Sequence, residues 1–154
     1  MPGPEITIYT DGAARGNPGP GGYGAVLISG NYRKELSEGY KMTTNNRMEL
    51  LAVIEALKAL KIPDSDVTIY TDSKYVADAV EKGWLFNWVK KGFKGKKNPD
   101  LWTRFLDLYK NHRIKLVWVK GHHNDPLNER CDQLAVEASM GSVLKEDEGY
   151  LLKE

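Results

Sequence analysis

The sequence predicts an α/β domain on a mixed five-stranded sheet, an antiparallel meander followed by parallel strands joined by helical crossovers. Three observations lead there. Thr7-Ile8-Tyr9-Thr10-Asp11 recurs letter for letter as Thr68-Ile69-Tyr70-Thr71-Asp72, each copy ending at a turn or cap residue, Gly12 or Ser73. Tyr23 to Ser29 and Tyr32 to Met42 flank Gly30-Asn31, a dipeptide that suits a tight hairpin. Beyond them the hydrophobic period alternates between helix and strand.

In order, the first pentapeptide is a strand, and the glycine-rich stretch from Gly12 to Gly22 is a wide turn between antiparallel strands. It is not a phosphate-binding loop of the nucleotide-binding kind, because no Gly-Lys-Ser/Thr follows and the next segment reads as a strand. Small residues there would still let a nucleic-acid backbone approach the main chain. Leu50, Val53, Ile54, Leu57 and Leu60 set a helix from about Asn46 to Leu60, and Pro63-Asp64 ends it before the second pentapeptide strand. Tyr75 to Glu81 and Asp100 to His112 read as helices, Ile114 to Val119 as a strand and Glu129 to Met140 as a last helix. The charge-rich tail from Lys145 offers little to pack and is expected to be mobile. No linker or second domain is expected within residues 1–154.

The 154 residues, with 41% hydrophobic and 28% charged content, fit one globular domain with a real core. A net charge of +1 advertises no nucleic acid globally, so any such signal must be local. The single cysteine, Cys131, excludes an intrachain disulfide and argues against a structural zinc site. No apolar run approaches membrane-spanning length, and residues 1–5 lack signal-peptide character, so a cytoplasmic protein is expected.

If the two pentapeptides lie side by side and parallel, Asp11 and Asp72 emerge at one sheet end, where ligands bind in open α/β sheets. Each also has a local reading, Asp11-Gly12 as a turn and Asp72 as a helix cap. At about 100° per residue, Glu49 lies within about 60° of Ala52, Val53, Ala56 and Leu60, on or beside the packed face. An ionised carboxylate there needs a cation or hydrogen bonds; the other reading is a capping box from Asn46 to Glu49. Asp132 falls on the boundary of its helix's apolar stripe, where a solvated charge is the simpler account. Together, the four acids suit Mg²⁺, which takes carboxylate oxygens and keeps waters for a substrate phosphate. Two such ions about 4 Å apart can activate water and stabilise the leaving oxygen of a phosphodiester displacement.

Thr10-Asp11-Gly12, Thr44-Asn45-Asn46-Arg47-Met48-Glu49-Leu50, Thr71-Asp72-Ser73 and Lys120-Gly121-His122 with Asn128-Glu129-Arg130-Cys131-Asp132 resemble type 1 ribonuclease H in its bacterial form. The likeness runs in order from the first strand to the last helix. It implies a ribonuclease H-like fold and an endonuclease that cuts the RNA strand of an RNA–DNA hybrid, leaving a 3′-hydroxyl and a 5′-phosphate. Asp11, Glu49, Asp72 and Asp132 would hold two Mg²⁺ ions, with Mn²⁺ as a substitute and Asp11 shared between them. His122 would assist proton transfer or product departure. The chain departs from the family at His123-Asn124-Asp125, where a smaller, glycine-bearing run is common, which leaves His123 as the alternative histidine.

Lys82 to Asn98 is a local basic run, with Lys90, Lys91, Lys94, Lys96 and Lys97, no acidic residue, and Trp84, Phe86, Trp88 and Phe93 interleaved. It resembles the family's basic protrusion, a few residues shorter, and suits salt-sensitive phosphate contacts. The competing account is a solvated helix with its aromatics, Trp84 and Trp88 above all, in the core. The resemblance further implies a DNA-strand phosphate pocket from Asn17, Thr44 and Asn98. It also implies contacts to bases and 2′-hydroxyls from Asn45, Lys74 and the glycine loop, Lys74 standing where a neutral amide is common. A monomer acting on the hybrid, away from membranes, is expected. The alternatives are a non-catalytic hybrid-binding module and a DNA nuclease of the same fold; four intact acids argue against the first, the basic protrusion and Gly121-His122 against the second.

Overall fold

The computed structural model describes residues 3–120 and 125–151. Five strands, β1 (Glu5–Ala14), β2 (Gly19–Ser29), β3 (Tyr32–Thr43), β4 (Asp66–Thr71) and β5 (Arg113–Trp118), form one sheet in the order β3-β2-β1-β4-β5. The first three are antiparallel; β4 and β5 extend the sheet in parallel from β1. The two pentapeptides pair in register, Thr7 with Thr68 through Thr10 with Thr71. Gly30, at φ 59°, takes the first of the two positions between Ser29 and Tyr32, a conformation that suits glycine in a type II′ hairpin.

Helices cover both faces. α1 (Asn45–Lys58) packs on β1 and β2 and buries Met48, Leu50, Leu51, Val53, Ile54 and Leu57. Its start is set by Thr44, whose hydroxyl accepts from Arg47 N at 3.2 Å. α2 (Lys74–Glu81) begins at a Ser73 cap, and α4 (Pro99–Tyr109) buries Leu101, Trp102 and Phe105 against the same core. On the opposite face α5 (Pro126–Ser139) crosses β2, β1 and β3, with Cys131 and Leu134 against Val26 and Tyr9. Side chains on β2 and β3 would keep it away. A Cβ at Gly22, Gly24 or Gly39 would collide with the α5 backbone at Ala135, Cys131 or Ala138, so these glycines let the helix lie close to the strands. None of the described helices is long and apolar enough to cross a membrane.

Three expectations need correction. β2 starts at Gly19, inside the glycine-rich stretch, so the connecting turn is only residues 15–18. A further helix, α3 (Trp84–Lys90), runs through the basic segment. The tail is docked as far as residue 151. Lys145 pairs with Tyr40 beside β3, Asp147 is buried, and α6 (Glu148–Leu151) follows. The reason is a long-range ion pair: Arg47, with its side chain 1% exposed, neutralises Asp147. Smaller shifts follow from caps. α5 starts at Pro126 because the Asp125 carboxylate accepts from Leu127 N and Asn128 N, and proline suits the first helical turn.

Candidate active site

The in-register pairing of β1 and β4 brings Asp11 and Asp72 to the same sheet end, and Glu49 reaches them from the first turns of α1. Carboxylate oxygens of the three lie within 4.8 Å of one another. Gly12 makes the approach possible: a Cβ there would strike the α1 backbone at Met48 and Glu49. Two residues back, the Tyr9 and Tyr70 rings stack at 4.8 Å on the strand face that carries the aspartates.

The electrostatics describe an anionic trap. Burial raises the Asp11 pKa to about 8, aided by the charges of Asp72 and Asp132 and opposed by the Gly12 N–H, which donates to Oδ1 at 2.8 Å. Burial also holds Glu49 well above the ordinary carboxylate range, with Asp11 and Asp72 next in effect. Glu49 Oε1 is buried and meets no hydrogen-bond donor among the described residues. Asp132, on α5, stands beside Asp11 closely enough to act on it by charge and hydrogen bond, outside the tight triplet. Oxygen ligands alone, clustered and mutually repelling, with a buried oxygen lacking a donor, fit a hard divalent cation. Neither capping alternative holds: Thr44 caps α1 and Ser73 caps α2.

A second group of expected residues converges nearby. Asn17, Thr44, Asn45, Lys97 and Asn98 line a pocket of about 380 Å³. Asn17 Oδ1 accepts from Asn45 N at 2.9 Å and Asn45 Oδ1 from Ala14 N at 2.6 Å, which ties the β1–β2 turn to the start of α1. Arg47 Nη1 donates to Asn98 Oδ1 at 3.2 Å, and Asn98 Nδ2 donates to the Tyr75 hydroxyl at 3.2 Å. The pocket shares Asn46, Lys97 and Asn98 with a groove of about 280 Å³ whose walls also carry Trp84, Trp88 and Lys96. Trp84 is 47% exposed, not a core residue, and Trp88 is half-buried against Trp102. Lys82 lies over Trp84 and Lys96 over Trp88. Lys90, Lys91, Lys94, Lys96 and Lys97 are all exposed.

Lys74 lies over the Trp118 ring at 5.3 Å, and Trp118 Nε1 donates to the main-chain oxygen of Asp72 at 3.1 Å. Sequence reasoning passed over Trp118, whose only signal was a tryptophan at a strand end. It also passed over Tyr150, which lines the 380 Å³ pocket from α6. His122 and His123 lie outside the described residues.

An acidic cluster at the carboxyl ends of two parallel strands, beside a cationic aromatic groove, places the chain in the class of carboxylate-centred α/β nucleases. The sequence pattern of the RNase H family matches residues 3–140. The chain is 56% identical over 151 residues to the Ribonuclease H of Trichodesmium erythraeum, covering 95% of this chain and 96% of that protein. It is 50% identical over 152 residues to the Ribonuclease HI of Synechocystis, covering 95% and 94%. Among solved structures it resembles LC9-RNase H1, a type 1 RNase H with the type 2 active-site motif, at TM-score 0.82 and 28% identity over 100% of this chain and 83% of that one. LC11-RNase H1 in complex with RNA/DNA hybrid superposes at TM-score 0.65 and 29% identity over 88% and 96%. The chain belongs to the ribonuclease H family.

Proposed function

We propose that this chain is an endonuclease that hydrolyses the RNA strand of RNA–DNA hybrids, leaving 3′-hydroxyl and 5′-phosphate ends. The observation that carries the reading is the convergence of Asp11, Glu49 and Asp72 within 4.8 Å in a member of this family. Asp11, Glu49, Asp72 and Asp132 are the ligands for two Mg²⁺ ions, with Mn²⁺ able to replace them. When bound, the ions supply Lewis-acid activation of water and charge stabilisation at the leaving oxygen.

The chain's own residues do the rest. Asn17, Thr44 and Asn98 hold a DNA-strand phosphate, and the exposed lysines from Lys90 to Lys97 hold further phosphates along the groove. Asn45, Lys74 and the turn between β1 and β2 face the shallow groove of the hybrid, where 2′-hydroxyls distinguish RNA from DNA. Trp84 offers a face for sugar packing. His122, ten positions before Asp132, moves a proton near the departing product, a role that His123 takes if His122 does not. The chain acts as a single-domain monomer, and its lone buried cysteine suits the reducing cytoplasm.

The test is cleavage of matched RNA–DNA, RNA–RNA and DNA–DNA duplexes in Mg²⁺ and then in chelator. Only the hybrid should be cut, only in its RNA strand, and only with the metal. Cleavage of the all-DNA duplex, or activity in chelator, overturns the proposal.

A further inference from the structure

The C-terminal tail is seated with more specificity than a trailing end requires. The Asp147 carboxylate accepts from Arg47 Nε at 2.7 Å, Arg47 Nη2 at 2.9 Å and the Thr43 hydroxyl at 2.6 Å. Lys41 N donates to Lys145 O and Lys145 N to Gly39 O, both at 2.9 Å, so the tail is pinned to β3 before it turns. Gly149 presses against the same guanidinium where it meets its other carboxylate: a Cβ there would collide with Asp100 and Arg47. Tyr150 N then closes back on Asp147 O at 3.1 Å.

This seating sorts the tail by chemistry. Glu146, Asp147 and Glu148 fall on one side, in a cleft shared with Arg47 and Arg104. Tyr150 falls on the other, in the pocket with Asn17, Thr44, Lys97 and Asn98, whose lining contains no carboxylate among the described residues. That lining is rich in donors. Thr44 Oγ1 accepts from Arg47 N, which leaves its own proton to donate outward. Asn98 is fixed by Arg47 on one side of its amide and Tyr75 on the other. Arg47 therefore touches both the tail carboxylate and the pocket asparagine, so tail and pocket share one support.

We propose that Tyr150 is a substrate-binding residue, its phenol donating to the DNA-strand phosphate held by Asn17, Thr44 and Asn98, and that Asp147 positions it by docking the tail on Arg47. This rests on the phosphate-pocket reading above. The contact is with a ground-state group remote from the acidic cluster, so it contributes uniform binding and appears in KM rather than kcat.

The experiment uses the full chain with Mg²⁺ and measures KM and kcat on the hybrid for Tyr150→Phe, Tyr150→Ala and, as the pocket control, Thr44→Ala, with a urea midpoint for each. Losing one charge-assisted hydrogen bond corresponds to about a tenfold rise in KM. The expected result is that rise for Tyr150→Phe, a larger one for Tyr150→Ala, kcat within about twofold, and an unchanged midpoint for the phenylalanine variant. A second arm places a neutral methylphosphonate at each DNA-strand position in turn. At the position that most weakens the native protein, Tyr150→Phe should add nothing further. If Thr44→Ala raises KM and Tyr150→Phe does not, the tail proposal falls and the pocket stands. If neither raises KM, the pocket reading falls and takes the proposal with it. A KM effect seen only in variants with a lowered midpoint, or a full Tyr150→Phe effect on the neutralised phosphate, also overturns the tyrosine contact.

Discussion

Arg47 and Asp147 lie a hundred positions apart in the chain and form a two-pronged ion pair, Nε to Oδ2 at 2.7 Å and Nη2 to Oδ1 at 2.9 Å. Both side chains are buried, at 1% and 8% exposure. The pair joins the first turn of α1 to the tail. Removing one partner leaves the other charge buried and under-compensated, although Asp100 still holds Arg47. Asp147→Ala should therefore destabilise the fold by roughly 2–4 kcal/mol, read from urea denaturation. An unchanged midpoint would mean that the tail does not dock in solution.

Asp100 gives the same network a pH signature. Its hydrogen bonds from Arg47 hold its pKa below the ordinary carboxylate value. A carboxylate with a depressed folded-state pKa contributes stability that is complete above the unfolded pKa of about 4 and is lost as pH falls through the folded value. Asp100 is 42% exposed, so the contribution is screened. Asp100→Asn should cost about 0.5–1 kcal/mol at pH 7, and the gap to the native protein should close below about pH 4. A gap that persists at pH 2.5 would assign the loss to packing.

The acidic cluster makes a paired prediction. Three carboxylates within 4.8 Å repel one another in the absence of a cation. Asp11→Asn should abolish cleavage and yet raise the melting temperature in chelator by about 3–6 °C, for a gain of roughly 1–2 kcal/mol. The same variant should lose most of the rise that Mg²⁺ gives the native protein. Substantial residual cleavage, or a lowered melting temperature in chelator, would count against the ligand assignment.

Gly12 tests how Glu49 is placed. A methyl group at this position has nowhere to go except into the α1 backbone at Met48 and Glu49. Gly12→Ala should cost roughly 1–3 kcal/mol and lower kcat by tenfold or more as Glu49 is pushed from Asp11. Native kcat in this variant would show that α1 has freedom the packing denies.

The lysines of the groove should act on binding alone. Replacing Lys90, Lys91, Lys94, Lys96 and Lys97 by glutamine should raise KM, leave kcat near native, and flatten the salt dependence by roughly 0.7–0.9 log unit per lost phosphate contact. Salt titrations of KM decide it. A parallel drop in kcat would place the segment in the chemistry instead.

What could be read from the chain follows from the range of each interaction. The register of β1 on β4 was legible because two identical strands wrote it twice, and Glu49 because helical periodicity places a charge on an apolar face. Asp132 was legible only through its motif and not from the helical wheel, since its proximity to Asp11 depends on how closely α5 rides on β2. The docked tail was invisible for the same reason: its composition is that of a solvated end, and only Arg47, far away in the chain, changes its meaning. Arg47 itself stood in the sequence only as one letter of the motif at residues 44–50. The 126 start of α5 was available in Asp125-Pro126, a cap followed by a first-turn proline that periodicity alone overlooks.

The contact of α5 with the sheet carries one more consequence. The helix rests on bare backbone at Gly24, directly under the turn that holds Cys131 and Asp132. A single methyl group added there, on the side of the helix facing away from solvent, would act as a shim, tilting the fourth acid without altering any polar atom. The reach between Asp132 and Asp11 is thus an adjustable spacing, set from beneath by the thickness of one strand.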